Sequence, residues 1–184
     1  MDAIEALLTR NSAPRLTEPA PKGHDLELMF QAALRAPDHA WLKPWRFLTI
    51  EGDARLKLAD LMVNIRLASG SLSEEDETKL RSKALRAPLI VVVIADTREH
   101  PKVPILEQHI SAGCAAHSML IAAHALGYAG VWRTGGLAFD RQFAQGLGLT
   151  EAQHIVGFLY LGTREGEPKS LPKRVINDFV KEWN

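Results

Sequence analysis

The run Leu89 to Ala95, Leu-Ile-Val-Val-Val-Ile-Ala, carries no polar side chain, and five of its seven residues are β-branched. Successive side chains of a strand point to opposite faces, so an uninterrupted apolar run needs cover on both faces. Pro88 and Asp96 bound the run, which predicts the centre of a sheet with a packed layer on each side. A second stretch supplies material for one layer. From Pro104 to about Leu126 the sequence has helical spacing, with Ser111, Ala112, Gly113, Ala115, Ala116, Ser118, Ala122, Ala123 and Ala125 all small and most other positions apolar. A helix with so little polar surface is buried on most sides, as the spine of the core or half of a subunit interface.

The other elements follow from periodicity and punctuation. Residues 2 to 9 read as a short helix capped by Asp2, and Leu26 to Leu34 as an amphipathic helix ended by Pro37, with an extended connection between them. Phe47 to Glu51 alternates as a strand, and Asp53 is placed to cap a helix carrying Leu56 to Leu67. Ser73-Glu-Glu-Asp predicts a capped, exposed helix within a polar segment, 69–83, whose few apolar groups leave it mobile. Tyr128 to Arg133 reads as a third strand, Asp140 to Leu147 as a short helix and Val156 to Leu161 as a fourth strand. The tail from Gly162 ends in Val175, Ile176, Phe179, Val180 and Trp183, apolar enough to cover a neighbouring surface. The class is mixed α and β, in a single domain over 1–184.

Composition excludes several functions. Lys plus Arg and Asp plus Glu are each 22, so the net charge is 22 − 22 = 0 and nothing marks a nucleic-acid partner. Cys114 is the only cysteine, which excludes an internal disulfide and a multi-thiolate metal site, and reads as filler in the long helix. With no basic leader and no apolar run long enough to span a bilayer, the expected compartment is the cytoplasm. His117 and His124 lie seven residues apart on the long helix, about 10.5 Å at 1.5 Å per residue, too far to share a metal. Neither a dinucleotide fingerprint nor a P-loop is present.

Three short clusters remain, each at the end of an element. Arg10-Asn11-Ser12 and Gly130-Val-Trp-Arg133-Thr-Gly-Gly136 offer guanidinium forks and a hydroxyl suited to a phosphate dianion, with Gly135 and Gly136 permitting close backbone approach. Arg35 to Phe47 packs three cations, one carboxylate, one imidazole and two indoles into thirteen residues stiffened by Pro37 and Pro44. One phosphate plus a planar ring describes a mononucleotide.

In this order the clusters resemble the nitroreductase family of FMN-dependent oxidoreductases, most closely its compact bacterial NAD(P)H nitroreductases. The motifs are Leu8-Thr-Arg-Asn-Ser12, Arg35-Ala-Pro-Asp-His39 with Lys43-Pro-Trp-Arg-Phe47, Gly130-Val-Trp-Arg-Thr-Gly135 and Val156-Gly-Phe-Leu-Tyr-Leu-Gly162-Thr. The resemblance implies an α+β sandwich around a mainly antiparallel sheet flanked by helices. It further implies a homodimer with the long helix and FMN at its interface, and a tail, about 164–184, wrapped on the partner. It also implies that Arg10, Asn11 and Ser12 hold the phosphate and ribityl end, that Arg35 and His39 reach the partner's FMN, and that Val131, Trp132, Arg133 and Gly135 lie along the cofactor. The subgroup's pattern would put nicotinamide contacts at Ile121, Ala122, Ala123, His124, Ala125 and Leu126; Trp41 and Lys43 fall on the substrate side, Trp41 standing where relatives carry an Asn. The implied activity is ping-pong hydride transfer from NADH or NADPH through the flavin to a nitroaromatic, quinone or similar acceptor. No side chain is expected to act as catalytic acid or base, and no metal is expected. A flavin-binding carrier or sensor, and a structural dimer with an empty site, are the readings from other classes.

Overall fold

The computed structural model describes residues 1–184. In chain order the elements are α1 (Ala3–Thr9), β1 (Leu16–Thr17), α2 (Gly23–Ala33), β2 (Trp45–Glu51), α3 (Ala54–Ala68), α4 (Glu74–Ala84), β3 (Leu89–Asp96), α5 (Ile105–Ala125), β4 (Ala129–Arg133), α6 (Arg141–Gly146) and β5 (Gln153–Arg164). All strand pairs are antiparallel: β2 with β3, β3 with β5, and β4 with the opposite edge of β5. Val91 lies opposite Thr49 on one side and Leu159 on the other, so β3 is interior to the sheet, as its composition demands.

The two faces of β3 face two layers. Ile90, Val92 and Ile94 pack with Phe158 and Tyr160 beneath Leu58 and Met62 of α3, Leu80 of α4 and Phe143 of α6. Leu89, Val91, Val93 and Ala95 pack with Leu159 and Leu161 against α5 and against Met29 and Ala33 of α2. Val, Ile and Leu buried this completely are each worth about 1.5–3 kcal/mol, which makes β3 the energetic centre of the sheet. The α5 residues Ala112, Ala115, Ala116 and Ala123 are fully buried, so small side chains let the helix lie close on the sheet. At the end of α5 Gly127 takes φ +88°, and Tyr128 N donates to Ala123 O at 2.9 Å, turning the chain directly into β4.

Several expectations need correction. The segment 69–83 is anchored rather than loose: Leu80 is buried in the core, as is Ala84 just beyond it, and Arg81 bonds Asp60 of α3 at 2.6 Å and Glu77 at 2.8 Å. Two apolar positions one helical turn apart are enough for this, and they are easily overlooked among charges. Asp53 precedes α3 in αR geometry and makes no side-chain cap, whereas Ser73 and Asp140 cap α4 and α6. The connection before α2 contains β1, whose two residues pair with Thr163 and Arg164. β5 is twelve residues long because it serves β3 on one edge and β4 and β1 elsewhere. Cys114 is only half-buried, packing on the core with one side and bordering a surface cleft with the other. No helix is long and apolar enough to cross a membrane.

Candidate cofactor site

The first and third clusters meet. After α1 the chain runs beside β4: Ser12 forms a parallel bridge with Gly130, and Ala13 N donates to Gly130 O at 3.1 Å. Gly130 itself is packed close to Leu120 and Leu161, where an added Cβ would come within 2.8 and 2.9 Å of their methyls. From the end of β5, Arg164 Nη2 donates to Asn11 O at 2.9 Å, and Asn11 Nδ2 donates to the carbonyl of Lys169. His124, in the last turn of α5, places Nε2 2.9 Å from Thr9 Oγ1. Its proton affinity is held below the ordinary histidine range, first by burial and then by the charges of Arg10 and Arg164. Arg10 and Arg164 therefore make an electropositive corner around a neutral His124, beside a cleft of about 620 Å³ bordered by Thr9, Asn11, Tyr128 and Lys169. An anion would be stabilised there by charge-assisted hydrogen bonds.

Along β4 the side chains alternate. Val131 packs on the α3 side of the sheet and Trp132 on the α5 side. The indole lies across Gly157 of β5, where a Cβ would fall 2.0 Å from Nε1, and it approaches Gly113 of α5, where an added Cβ would lie 3.8 Å from Cη2. Arg133 holds its guanidinium carbon 6.0 Å from the Tyr160 ring centroid, and its Nε is buried without a hydrogen-bond partner. Burial raises the Tyr160 hydroxyl pKa, with Arg133 opposing that shift. A buried, unpaired guanidinium donor is costly unless an acceptor arrives from outside the chain. Beyond it Gly135 adopts φ +102°, a conformation that favours glycine.

The second cluster makes no hydrogen bond or ion pair with the other two. His39 Nδ1 sits 2.8 Å from Glu107 Oε2 of α5, and Arg35 borders a shallow cleft with Leu7, His117, Ile121 and Ala122. Trp41 and Lys43 are exposed beside the same loop. Of residues 121–126, Ala123 is wholly buried, Ala122 and Leu126 pack on the core, His124 belongs to the electropositive corner, and Ile121 and Ala125 retain surface. Sequence reasoning missed Arg164 and Thr9. Arg164 follows Gly162-Thr163 at the end of a buried strand, the same position that singled out the other clusters, and so carried a usable signal.

The set fits a mononucleotide: a basic corner for a phosphate at one end of β4, and an unpaired buried donor and a positive-φ glycine at the other. An α+β sandwich of an antiparallel sheet flanked by helices is the fold of nitroreductase-like proteins. The sequence model of the nitroreductase family matches residues 9–163, and the chain belongs to that family of oxidoreductases. It is 45% identical over 163 residues, 89% of this chain and 88% of the other, to "Putative NAD(P)H nitroreductase YdjA" of Escherichia coli. It is 37% identical over 183 residues, 98% of each chain, to a "Putative NAD(P)H nitroreductase" of Haemophilus influenzae. Among solved structures it superposes on a nitroreductase-like family protein of Bacillus cereus with a TM-score of 0.83 and 26% identity, covering 100% of this chain and 96% of that one. A Desulfovibrio desulfuricans relative, crystallised in complex with FMN, has the same fold at a TM-score of 0.77 and 22% identity, covering 99% and 97%.

Proposed function

We propose that the chain is an FMN-dependent NAD(P)H oxidoreductase that acts as a cytoplasmic homodimer on nitroaromatic, quinone or similar electrophilic acceptors. Bound FMN supplies reversible two-electron transfer between the nicotinamide and the acceptor. The protein binds, orients and shields. Arg10 and Ser12 receive the phosphate, and Asn11 is fixed by Arg164 and Lys169 so that the turn holds its shape. Arg133 offers its free Nε to a cofactor oxygen or ring nitrogen, while Val131, Trp132 and Gly135 line the same edge. That Arg35 and His39 bond to no residue of this edge fits their service to the partner's cofactor.

The tail supports the dimer. Val175, Ile176, Phe179 and Trp183 are 62, 72, 71 and 100% exposed on the isolated chain, an arrangement that a second copy would bury. Sedimentation should show a dimer that truncation before Val175 weakens.

The unpaired Nε of Arg133, close along β4 to the Ser12 bridge, carries the cofactor reading. Titration with FMN, followed by quenching of flavin fluorescence and by thermal unfolding, tests it. A ligand at a hundred times its Kd should stabilise the fold by about 2.7 kcal/mol. A colourless protein that neither binds FMN nor gains stability from it would overturn the proposal.

A further inference from the structure

The connection between α2 and β2 holds three non-glycine residues in the left-handed region: Ala40 at φ 60°, Trp41 at φ 56° and Lys43 at φ 50°. For a bulky side chain such as Trp this is an outlier, and it persists only where the surroundings over-determine the backbone. They do so here. Asp38 accepts from Leu42 N at 3.1 Å and from Lys43 N at 2.8 Å. Arg98 Nη2 donates to Leu42 O at 2.7 Å, and Arg46 Nη1 donates to Lys43 O at 2.9 Å. Arg46 is itself held by Asp96 at 2.9 Å, and Ser111 Oγ of α5 donates to Pro37 O. Leu42, Pro44 and Trp45 are buried, so the loop is pinned to the core on either side of Lys43.

This framework does not bury the Trp41 indole, which is 82% exposed. The protein thus bears both the strain of a left-handed Trp and the exposure of its largest apolar side chain, and gains no packing in return. Beside the indole is a cleft of about 450 Å³, bordered by Leu34, Arg35, Pro37, Lys43 and Trp45. That volume falls within the range of small-molecule sites. Asp38 also faces the cleft, but both of its oxygens are committed to backbone N–H groups, leaving the Lys43 side chain as the cleft's free cation beside Arg35, which the cofactor takes.

We infer that this loop is a preorganised subsite for planar anionic aromatic molecules, with the Trp41 indole as stacking platform and Lys43 as carboxylate partner. The inference deepens the proposed function. If Arg35 serves the partner's cofactor, the subsite borders that cofactor and selects nitro or quinone derivatives of aromatic acids as acceptors. An indole suits this task because offset stacking rewards any planar ring, while the Lys43 cation distinguishes the charged member of a pair. Rigidity lowers the cost of ordering the loop when the ligand arrives.

Binding of naphthoate and of its neutral analogue naphthol to the purified flavin-loaded dimer, by calorimetry and tryptophan quenching, tests this without turnover. Failure of NAD(P)H-dependent reduction would bear on the oxidoreductase proposal, and failure of naphthoate binding on the subsite alone. Wild type should bind naphthoate saturably and more tightly than naphthol. Trp41→Asn, which keeps a residue tolerant of the left-handed region, should weaken naphthoate about tenfold, whereas Trp41→Phe should retain most of the affinity. Lys43→Gln should weaken naphthoate severalfold and leave naphthol unchanged. Relief of strain should leave the melting temperature of Trp41→Asn equal to or above wild type, so lost binding cannot be assigned to misfolding. No saturable binding to wild type, equal affinities across the variants, or a Trp41→Asn variant whose only change is dissociation of the dimer would overturn the assignment.

Discussion

Replacing Gly157 by Ala tests the packing on which both the sheet and the cofactor edge depend. Gly157 is buried in β5 under the indole of Trp132, and an added Cβ would lie 2.0 Å from Nε1, 2.7 Å from Cδ1 and 3.0 Å from Cε2. A comfortable contact to each atom needs more than 3.4 Å, so the ring would have to withdraw by more than an ångström. α5 lies close by, where a Cβ built on Gly113 would be 3.8 Å from Cη2, so the room for that shift is limited. An indole is rigid and has no flexible end to give way. Overpacking by a methyl ordinarily costs about 1–3 kcal/mol, and this geometry places Gly157→Ala at about 3 kcal/mol. For a chain of this size, about 2–4 °C per kcal/mol converts that cost into a fall in Tm of about 6–12 °C. Urea and thermal unfolding of the apoprotein measure it. The discriminating step is the double-mutant cycle with Trp132→Leu, which removes the ring plane. In that background Gly157→Ala should cost less than about 1 kcal/mol, a coupling of about 2 kcal/mol. Equal costs in both backgrounds, within about 0.5 kcal/mol, would refute the steric reasoning.

Arg10→Ala and Arg133→Met should each weaken FMN at least tenfold, about 1.4 kcal/mol, while changing apoprotein stability little; unchanged FMN titrations would remove these residues from the site. His124 and His154 are both held below the ordinary histidine value near 6.5, first by burial, then by Arg10 and Arg164 for His124 and by His109 and Arg141 for His154. Both stay neutral in the fold while the unfolded chain takes up protons, so stability should be constant above about pH 6.5 and should decline as pH falls below it. Urea midpoints at neutral and mildly acidic pH should differ less in the His124→Gln, His154→Gln double variant than in wild type. Asp140 accepts from Phe143 N at 2.9 Å, so Asp140→Ala should cost about 1 kcal/mol by urea unfolding, and Asp140→Asn much less.

The strength of each sequence signal explains what could be read in advance. Leu89–Ala95 has only one comfortable environment, and the structure places it between β2 and β5 with every residue buried. The small residues from Ser111 to Ala125 likewise imply close packing, and α5 provides it. β1 was illegible because a two-residue strand has no period, and its existence depends on Thr163 and Arg164 being opposite it. The role of α4 was hidden because Leu80 and Ala84 are a small minority in a charged helix, and only the position of α3 makes them core residues. Within the site, Arg10, Ser12 and Arg133 were visible as ends of elements. That Ser12 would lie beside Gly130, 118 positions later by 130 − 12, is a property of the topology. The left-handed backbone of Trp41 had no local signature either, since no Gly or Asn marks that position.

The central claim is that this chain holds FMN and turns it over with a reduced nicotinamide. Anaerobic mixing of the flavin-loaded protein with NADH, and separately with NADPH, tests it most directly. Bleaching of the flavin absorbance within seconds with at least one donor, followed by recovery of the colour when a quinone or nitroaromatic is added, is the predicted result. A flavin still oxidised after many minutes with both donors would contradict the account and leave a flavin-binding carrier or sensor in its place.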